Sequence, residues 1–296
     1  MPHDGGMPEG DVVWRTADRL HRALAGRALV TSDLRWPSLA TVDLTGRTVT
    51  AVVARGKHLM MRTDGDPPVT LHSHLRMEGS WHVHRTGEEW GTARSPSAVR
   101  AVVANTEWTA VGHKLGMLDL VATADETSLV GHLGPDVLGP DWDAAAVLET
   151  LGGQPDRAIG DALLDQRVLA GVGTMFMAET LFVRGISPWT PISEVTDLPG
   201  VVEAAHRLLD ANRHRAVQAT TGDLRPGRST YVHSRSGRPC RRCATPVRVA
   251  MIGTAPQERT AFYCPSCQPG PTPTDDGRAQ RPLGSGARRT RSTYRR

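Results

Sequence analysis

Cys240-Arg241-Arg242-Cys243, then twenty residues, then Cys264-Pro265-Ser266-Cys267: this stretch decides how the C-terminal part of the chain folds. A C-x2-C-x20-C-x2-C spacing places four thiolates tetrahedrally around zinc, with the intervening strands paired as a hairpin. These are all the cysteines of the 296-residue chain. No cationic, apolar and small-residue signal segment opens the sequence, so a soluble cytoplasmic protein is expected, and there paired cysteines serve metal rather than disulfides. Four thiolates leave no position for water. Zinc at Cys240, Cys243, Cys264 and Cys267 is therefore expected to hold the fold and to take no part in chemistry.

Positive charge crowds around this unit. Residues 225–268 hold eight arginines and one acid, and residues 269–296 seven arginines and two aspartates, in a chain whose net charge is only +4. The remainder is acidic, and the asymmetry points to a polyanionic partner such as nucleic acid. Beyond Cys267 the Pro/Gly/Arg-rich sequence has almost nothing apolar to bury, so 269–296 reads as a disordered basic tail. Among 35 basic residues only Lys57 and Lys114 are lysine. Where arginine meets every other need, a lysine suggests a compact ammonium with an adjustable pKa. No apolar run is long enough to span a membrane, and no Walker or G-x-G-x-x-G motif indicates a nucleotide cofactor.

Toward the N-terminus the pattern changes twice. Residues 11–25 read as a helix, with Asp11 as N-cap, an apolar stripe of Val13, Ala17, Leu20 and Leu24, and Gly26 as the stop. From Ala28 to about Val121, β-branched runs alternate with turn residues, the signature of an antiparallel sandwich or barrel. Arg55-Gly56-Lys57 interrupts two apolar strands, which places Lys57 at a hairpin turn. Helical periodicity follows the Gly134-Pro135-Asp136 and Gly139-Pro140 linker. One helix is capped by Asp141-Trp142-Asp143; others span Arg157 to Leu169, Met175 to Val183 and Leu198 to about Arg213. Gly171-Val172-Gly173-Thr174 makes a tight turn into the third, where N–H groups near Thr174 suit a phosphate. The fold class is thus α+β and multidomain: an N-terminal helix and antiparallel β-sandwich (7–124), a linker (125–140), a helical domain (141–228) and a zinc ribbon (229–268). His72-x-His74 and His82-x-His84 read as strand histidines, since no third ligand stands at clear spacing. Trp14, Trp36, Trp81, Trp108 and Trp142 read as core anchors.

Met7-Pro8-Glu9-Gly10 carries the remaining chemistry. If translation starts at Met7 and that residue is removed, Pro8 presents a secondary amine titrating near ~7.7–8.0, able to attack a sugar carbon and form an iminium. Glu9, one peptide bond away, can move protons for it. The bland alternative is a helix entry with proline and acids in its first turn.

Taken together, the motifs resemble the formamidopyrimidine-DNA glycosylase and endonuclease VIII family. The resemblance runs from Met7 to Gln268 through Met7-Pro8-Glu9-Gly10, Arg55-Gly56-Lys57 and Gly134-Pro135-Asp136-Val137-Leu138. It continues through Leu163-Leu164-Asp165-Gln166, Ala170-Gly171-Val172-Gly173 and Arg259-Thr260-Ala261-Phe262-Tyr263-Cys264. It implies a helix–two-turns–helix element, and a base-excision enzyme that removes damaged bases and nicks the strand. Pro8 would be the nucleophile at C1′, Glu9 the proton carrier and Lys57 a cationic assistant. The flipped nucleotide leaves a gap that Met77 would fill, with His113 and Leu115 at the other wedge positions. Thr174, in place of the family's usual asparagine, and Arg259 would hold phosphates. Met1 to Gly6 and Asp11-Val12 depart from the family pattern.

Little room between Asn212 and Tyr231 for a lesion-capping loop favours the endonuclease VIII branch and oxidised pyrimidines. The expected partner is damaged double-stranded DNA, with single-stranded or bubble DNA as further substrates, acted on by a monomer that joins the nucleoid when bound. The rival reading is a zinc-ribbon protein that recognises damaged DNA without cutting it. A third, an RNA-binding or regulatory zinc protein, leaves Pro8, Glu9 and Lys57 without a role.

Overall fold

The computed structural model describes residues 8–90, 96–271 and 273. Met1 to Met7 and almost all of the expected basic tail lie outside the described residues. Helix α1 spans Gly10–Leu24. Its stripe of Val13, Ala17, Leu20 and Leu24 is buried, as the helical spacing requires. It begins one residue earlier than expected. Glu9 holds the N-cap position, and Asp11 lies inside the first turn, fully buried, so Asp11 is not the cap. The cause is tertiary: the Gly10 N–H donates to the Gly171 carbonyl at 2.9 Å, which pulls the chain into the helix at that point.

Eight strands follow: β1 Thr31–Leu34, β2 Val49–Arg55, β3 His58–Thr63, β4 Val69–His74, β5 Ser80–Arg85, β6 Val99–Ala104, β7 Trp108–His113 and β8 Met117–Ala122. They form two antiparallel four-stranded sheets, ordered β1-β6-β7-β5 and β2-β3-β4-β8. Alternate residues of both sheets meet the α1 stripe in one core, where Leu59, Met61 and Leu71 pack with Trp81, Val103 and Leu118. Of the expected aromatic anchors, Trp81 is fully buried, its indole N–H donating to Ser73 Oγ at 3.1 Å. Trp14, Trp36, Trp108 and Trp142 are half-buried against the cores.

The helical part comprises α2 Thr127–Val130, α3 Ala144–Gly152, α4 Ile159–Leu164, α5 Thr174–Arg184 and α6 Leu198–Arg213. Asp143 caps α3 by accepting the Ala145 and Ala146 N–H groups. The helix expected to reach Leu169 ends at Leu164 instead. Asp165 accepts from the Arg167 backbone and from the guanidinium groups of Arg157 and Arg167, which favours a turn over a continued helix. Strands β9 Arg248–Ile252 and β10 Arg259–Tyr263 pair as the hairpin expected between the cysteine pairs. Ile252 and Ala261 of that hairpin enter the core of the helical part. The molecule is thus an α+β fold with N-terminal helix, antiparallel sheets, helical region and a C-terminal four-cysteine unit.

Candidate active site

The first turn of α1 and the first turn of α5 meet. Glu9, almost fully buried, sends its carboxylate to the head of α5. There Oε1 accepts the Met175 N–H at 2.8 Å, and Oε2 accepts those of Gly173 at 2.8 Å and Phe176 at 3.3 Å. Unpaired N–H groups and the positive end of the dipole make this a natural seat for a carboxylate. Burial acts the other way and prevails: the Glu9 carboxyl is pushed up to about 7, against the lowering influence of Lys57 and of the Met175 N–H. A carboxyl poised there can give or take a proton near neutral pH. Pro8, half-buried, is the residue next to it.

Closeness has been secured by glycine. A Cβ on Gly173 would lie 2.5 Å from Glu9 Cδ, and one on Gly10 would lie 3.0 Å from Gly171 Cα. Asp11 adds a second buried carboxylate in the same turn. Gln218 donates to both its oxygens at 2.8 and 3.1 Å, and burial lifts it to about 6.

Lys57 sits in the β2–β3 turn, half-buried. Loss of water lowers its pKa, Glu9 opposes that shift, and the Arg259 guanidinium adds to it, so three charges from distant parts of the chain act at one place. The turn is held by Asp136, which lies between α2 and α3. This carboxylate accepts the Gly56 N–H at 2.8 Å and the Leu138 N–H at 3.0 Å, while Arg55 donates to the Gly134 carbonyl. Arg259 opens β10 and is exposed.

Other expected site residues are placed less uniformly. Met77 stands 64% exposed in the β4–β5 loop, as an apolar plug should. His113 ends β7 with its ring 5.4 Å from that of His82. Leu115 is only 3% exposed and packs in the sandwich core, so its wedge assignment does not fit this conformation. The turn presents Lys114 in its stead, whose ammonium lies 2.7 Å from Glu78. Thr174 opens α5, but its hydroxyl is buried and has no hydrogen-bond partner among the described residues. The sulfurs of Cys240, Cys243, Cys264 and Cys267 lie within 4.8 Å of one another, a donor set able to hold a metal ion.

Several residues of the site escaped sequence reasoning. Asp136, Gly173 and Gln218 act across separations of 80 residues or more, which no local pattern reveals. Glu179, in the middle of α5, is another: its buried carboxylate accepts from the Tyr231, Val232 and His233 N–H groups and from Thr220 Oγ1. One helix therefore anchors both the N-terminal turn and the segment leading to the cysteines.

Comparison with known proteins agrees with this architecture. Residues 7–134 match the formamidopyrimidine-DNA glycosylase N-terminal domain. The probable endonuclease 8 2 of Streptomyces coelicolor is 50% identical over 277 residues, covering 92% of this chain and 98% of that protein. The DNA-(apurinic or apyrimidinic site) lyase Nei2 of Mycolicibacterium smegmatis is 42% identical over 262 residues, covering 88% and 99%. Among solved structures, a Lactococcus lactis formamidopyrimidine-DNA glycosylase on DNA containing an AP site superposes with a TM-score of 0.71. It is 20% identical, and the match covers 88% of this chain and 100% of that one.

Proposed function

The chain belongs to the formamidopyrimidine-DNA glycosylase and endonuclease VIII family, and from that premise we propose a base-excision DNA glycosylase with AP lyase activity. The observation that carries the catalytic reading is the buried Glu9 carboxylate on the head of α5, beside Pro8 and within the field of Lys57. Pro8, as a free secondary amine, attacks C1′ of the damaged nucleotide while the bond to the base breaks. Glu9 delivers a proton to the sugar ring oxygen, the ring opens, and an iminium joins Pro8 to the sugar. Loss of the C2′ proton and departure of the 3′ phosphate then cut the strand. Lys57 stabilises developing negative charge, Arg259 holds a backbone phosphate, and Met77 fills the gap left by the extruded nucleotide. Chain division at 7–124, 141–228 and 229–268 fits these roles.

The metal is zinc. A tetrahedron with ~2.3 Å zinc–sulfur bonds has edges of about 3.8 Å; the Cys240–Cys267 sulfurs stand at 3.8 Å, and those of Cys243 and Cys264, at 3.4 Å, need part only by a few tenths of an ångström. When bound it supplies folding energy, and the protein's own residues carry the chemistry. The segment between Asn212 and Tyr231 closes quickly, with Thr220 donating to the Ser229 carbonyl at 2.8 Å. So short a loop favours oxidised pyrimidines as substrates, in double-stranded DNA and also in single-stranded or bubble DNA, handled by a monomer at the nucleoid.

The test follows from the nucleophile. An amide nitrogen has no free lone pair, so the protein must begin at Pro8 to react. A form starting at Met7 and processed to Pro8 should be captured on abasic-site DNA by borohydride. The form retaining Met1 to Met7 should bind but not be captured, and acetylating Pro8 should abolish capture. If the unprocessed form is captured equally well and Lys57→Ala alone removes capture, the nucleophile is Lys57. Binding without capture or strand cleavage by any form would favour the non-catalytic DNA binder.

A further inference from the structure

Leu59, Met61, Leu71 and Leu118 face the sandwich core, so their alternates His58, His72, His74 and Asp119 share the opposite face of the sheet. Three of these form a chain. His72 Nδ1 lies 3.0 Å from Asp119 Oδ2, and His72 Nε2 lies 2.9 Å from His58 Nδ1. An ionised carboxylate only accepts, so neutral His72 carries its proton on Nδ1 and offers a lone pair at Nε2. His58 must then donate from Nδ1, which leaves a lone pair at its Nε2. His74 has the opposite polarity: its Nδ1 accepts the Arg76 N–H at 2.9 Å, so its proton sits on Nε2. The rings of His74 and His132 stand edge-on to His58, at 4.9 and 6.4 Å.

This arithmetic disfavours a metal. Asp119 serves His72, and the Nδ1 lone pair of His74 is engaged, so only His58 and His132 keep lone pairs to offer, short of a metal's usual three or four protein ligands. An anion fits better. His74 offers a donor, His58 becomes a second donor on protonation, and Lys57 and Arg76 are neighbouring cations.

We propose that His58 is a proton-linked phosphate contact, which takes up a proton as a DNA backbone phosphate seats against His58 and His74. Asp119, acting through His72, is the positioning residue that fixes the tautomer. This rests on the DNA-processing reading above. The proton comes from solvent to His58 Nε2, is shared with a phosphate oxygen in the complex, and returns to solvent on release. In the free protein, burial with neighbouring imidazoles and Arg76 holds His58 down to about 3, while burial, Arg76 and Lys57 hold His74 to about 4. Both rings are then neutral, and a phosphate reverses the sign of the field they feel. The groups facing His58 are Arg55 across the β2–β3 pair, Lys57, His72, His74, Arg76 and His132, with Asp119 behind His72. Binding that favours the protonated form weakens as pH rises.

Affinity should be measured from pH 5.5 to 7.5 on a duplex with a tetrahydrofuran abasic analogue, in a Glu9→Gln background. No bond is then cut and Glu9 cannot titrate. Over one pH unit the Kd of this parent should rise about threefold more than that of the same protein carrying His58→Gln, which corresponds to roughly half a proton. Calorimetry in two buffers of different ionisation enthalpy should count the same difference. Asp119→Asn, a change at a half-exposed side chain, should lessen the uptake while the fold stays intact. Equal slopes and equal proton counts in parent and His58→Gln would overturn the proposal. If the parent binds no duplex, the DNA reading itself fails. The relay is then judged by imidazole nitrogen NMR: His58 and His72 should both be Nδ1–H tautomers, and inorganic phosphate at pH 6 should drive His58 toward the imidazolium. An Nε2–H tautomer at His58, or no response to phosphate, would refute it.

Discussion

Glu9 shows what a single residue owes to its surroundings. A glutamate after proline at a helix start is an unremarkable pattern, and nothing local raises its carboxyl. The shift to about 7 comes from burial against α5, partly offset by Lys57 and by N–H donors. If Glu9 gives its proton to the sugar, the active form is the protonated one, whose fraction falls tenfold per pH unit above about 7. The Pro8 amine must instead be unprotonated, a fraction that rises until ~7.7–8.0. Single-turnover base release should therefore follow a bell with its summit between these values. Glu9→Gln should slow base release by about 10²–10⁴-fold and remove the falling limb. Binding, and borohydride capture on a ready-made abasic site, should persist. A falling limb that survives in Glu9→Gln would assign the acid to another group. Asp11, lifted to about 6 by burial, is the first candidate.

At the scale of elements, the strands, most helices and the cysteine hairpin could be read from periodicity and turn residues, because each is specified by neighbours a few positions away. What could not be read is how elements meet. The helix expected to reach Leu169 stops at Leu164 because Asp165 finds Arg157 and Arg167. Leu115, whose side chain packs over Gly112 of β7, goes inward where a wedge role would need it outside. The α1–α5 junction is the most consequential contact, and its tolerance is small. In Gly173→Ala the new methyl would lie 2.5 Å from Glu9 Cδ, so the carboxylate must leave its three N–H donors. Displacement of about 1 Å at a reacting group can lower a rate ~10²-fold, and a loss of that order in base release is expected. DNA affinity should change far less, since the phosphate-holding residues stand elsewhere. Equal losses in both measurements would show that the substitution deforms the α5 head as a whole.

Across the whole molecule, the charge division visible in composition corresponds to a physical arrangement. Arg259 reaches the neighbourhood of Lys57 because β10 belongs to a hairpin whose Ile252 and Ala261 are set in the helical core. Arg259→Ala should weaken binding to all duplex sequences alike and reduce the slope of log affinity against log salt by about one unit, as for one lost phosphate contact. A loss confined to particular sequences would mean base readout instead. On the zinc assignment proposed above, the hairpin itself depends on metal. Residues 229–268 contribute only a small core of their own, in which Val232, Cys240, Val247, Phe262 and Cys264 pack on Phe182. Two of those five are thiol ligands, so binding metal and forming that core are one event. Chelation, or Cys264→Ser, should therefore unfold the hairpin, withdraw Arg259 from Lys57 and expose the helical core where Ile252 and Ala261 had covered it. The α1 stripe and the two sheets share no core residue with the hairpin and should stay folded. Far-UV circular dichroism should fall only in part, hydrogen exchange should rise across β9 and β10 while β2, β3 and β4 stay protected, and DNA affinity should collapse. Full affinity and an unchanged spectrum in the chelated protein would mean that apolar packing alone holds the hairpin, and that the four cysteines do not need their metal.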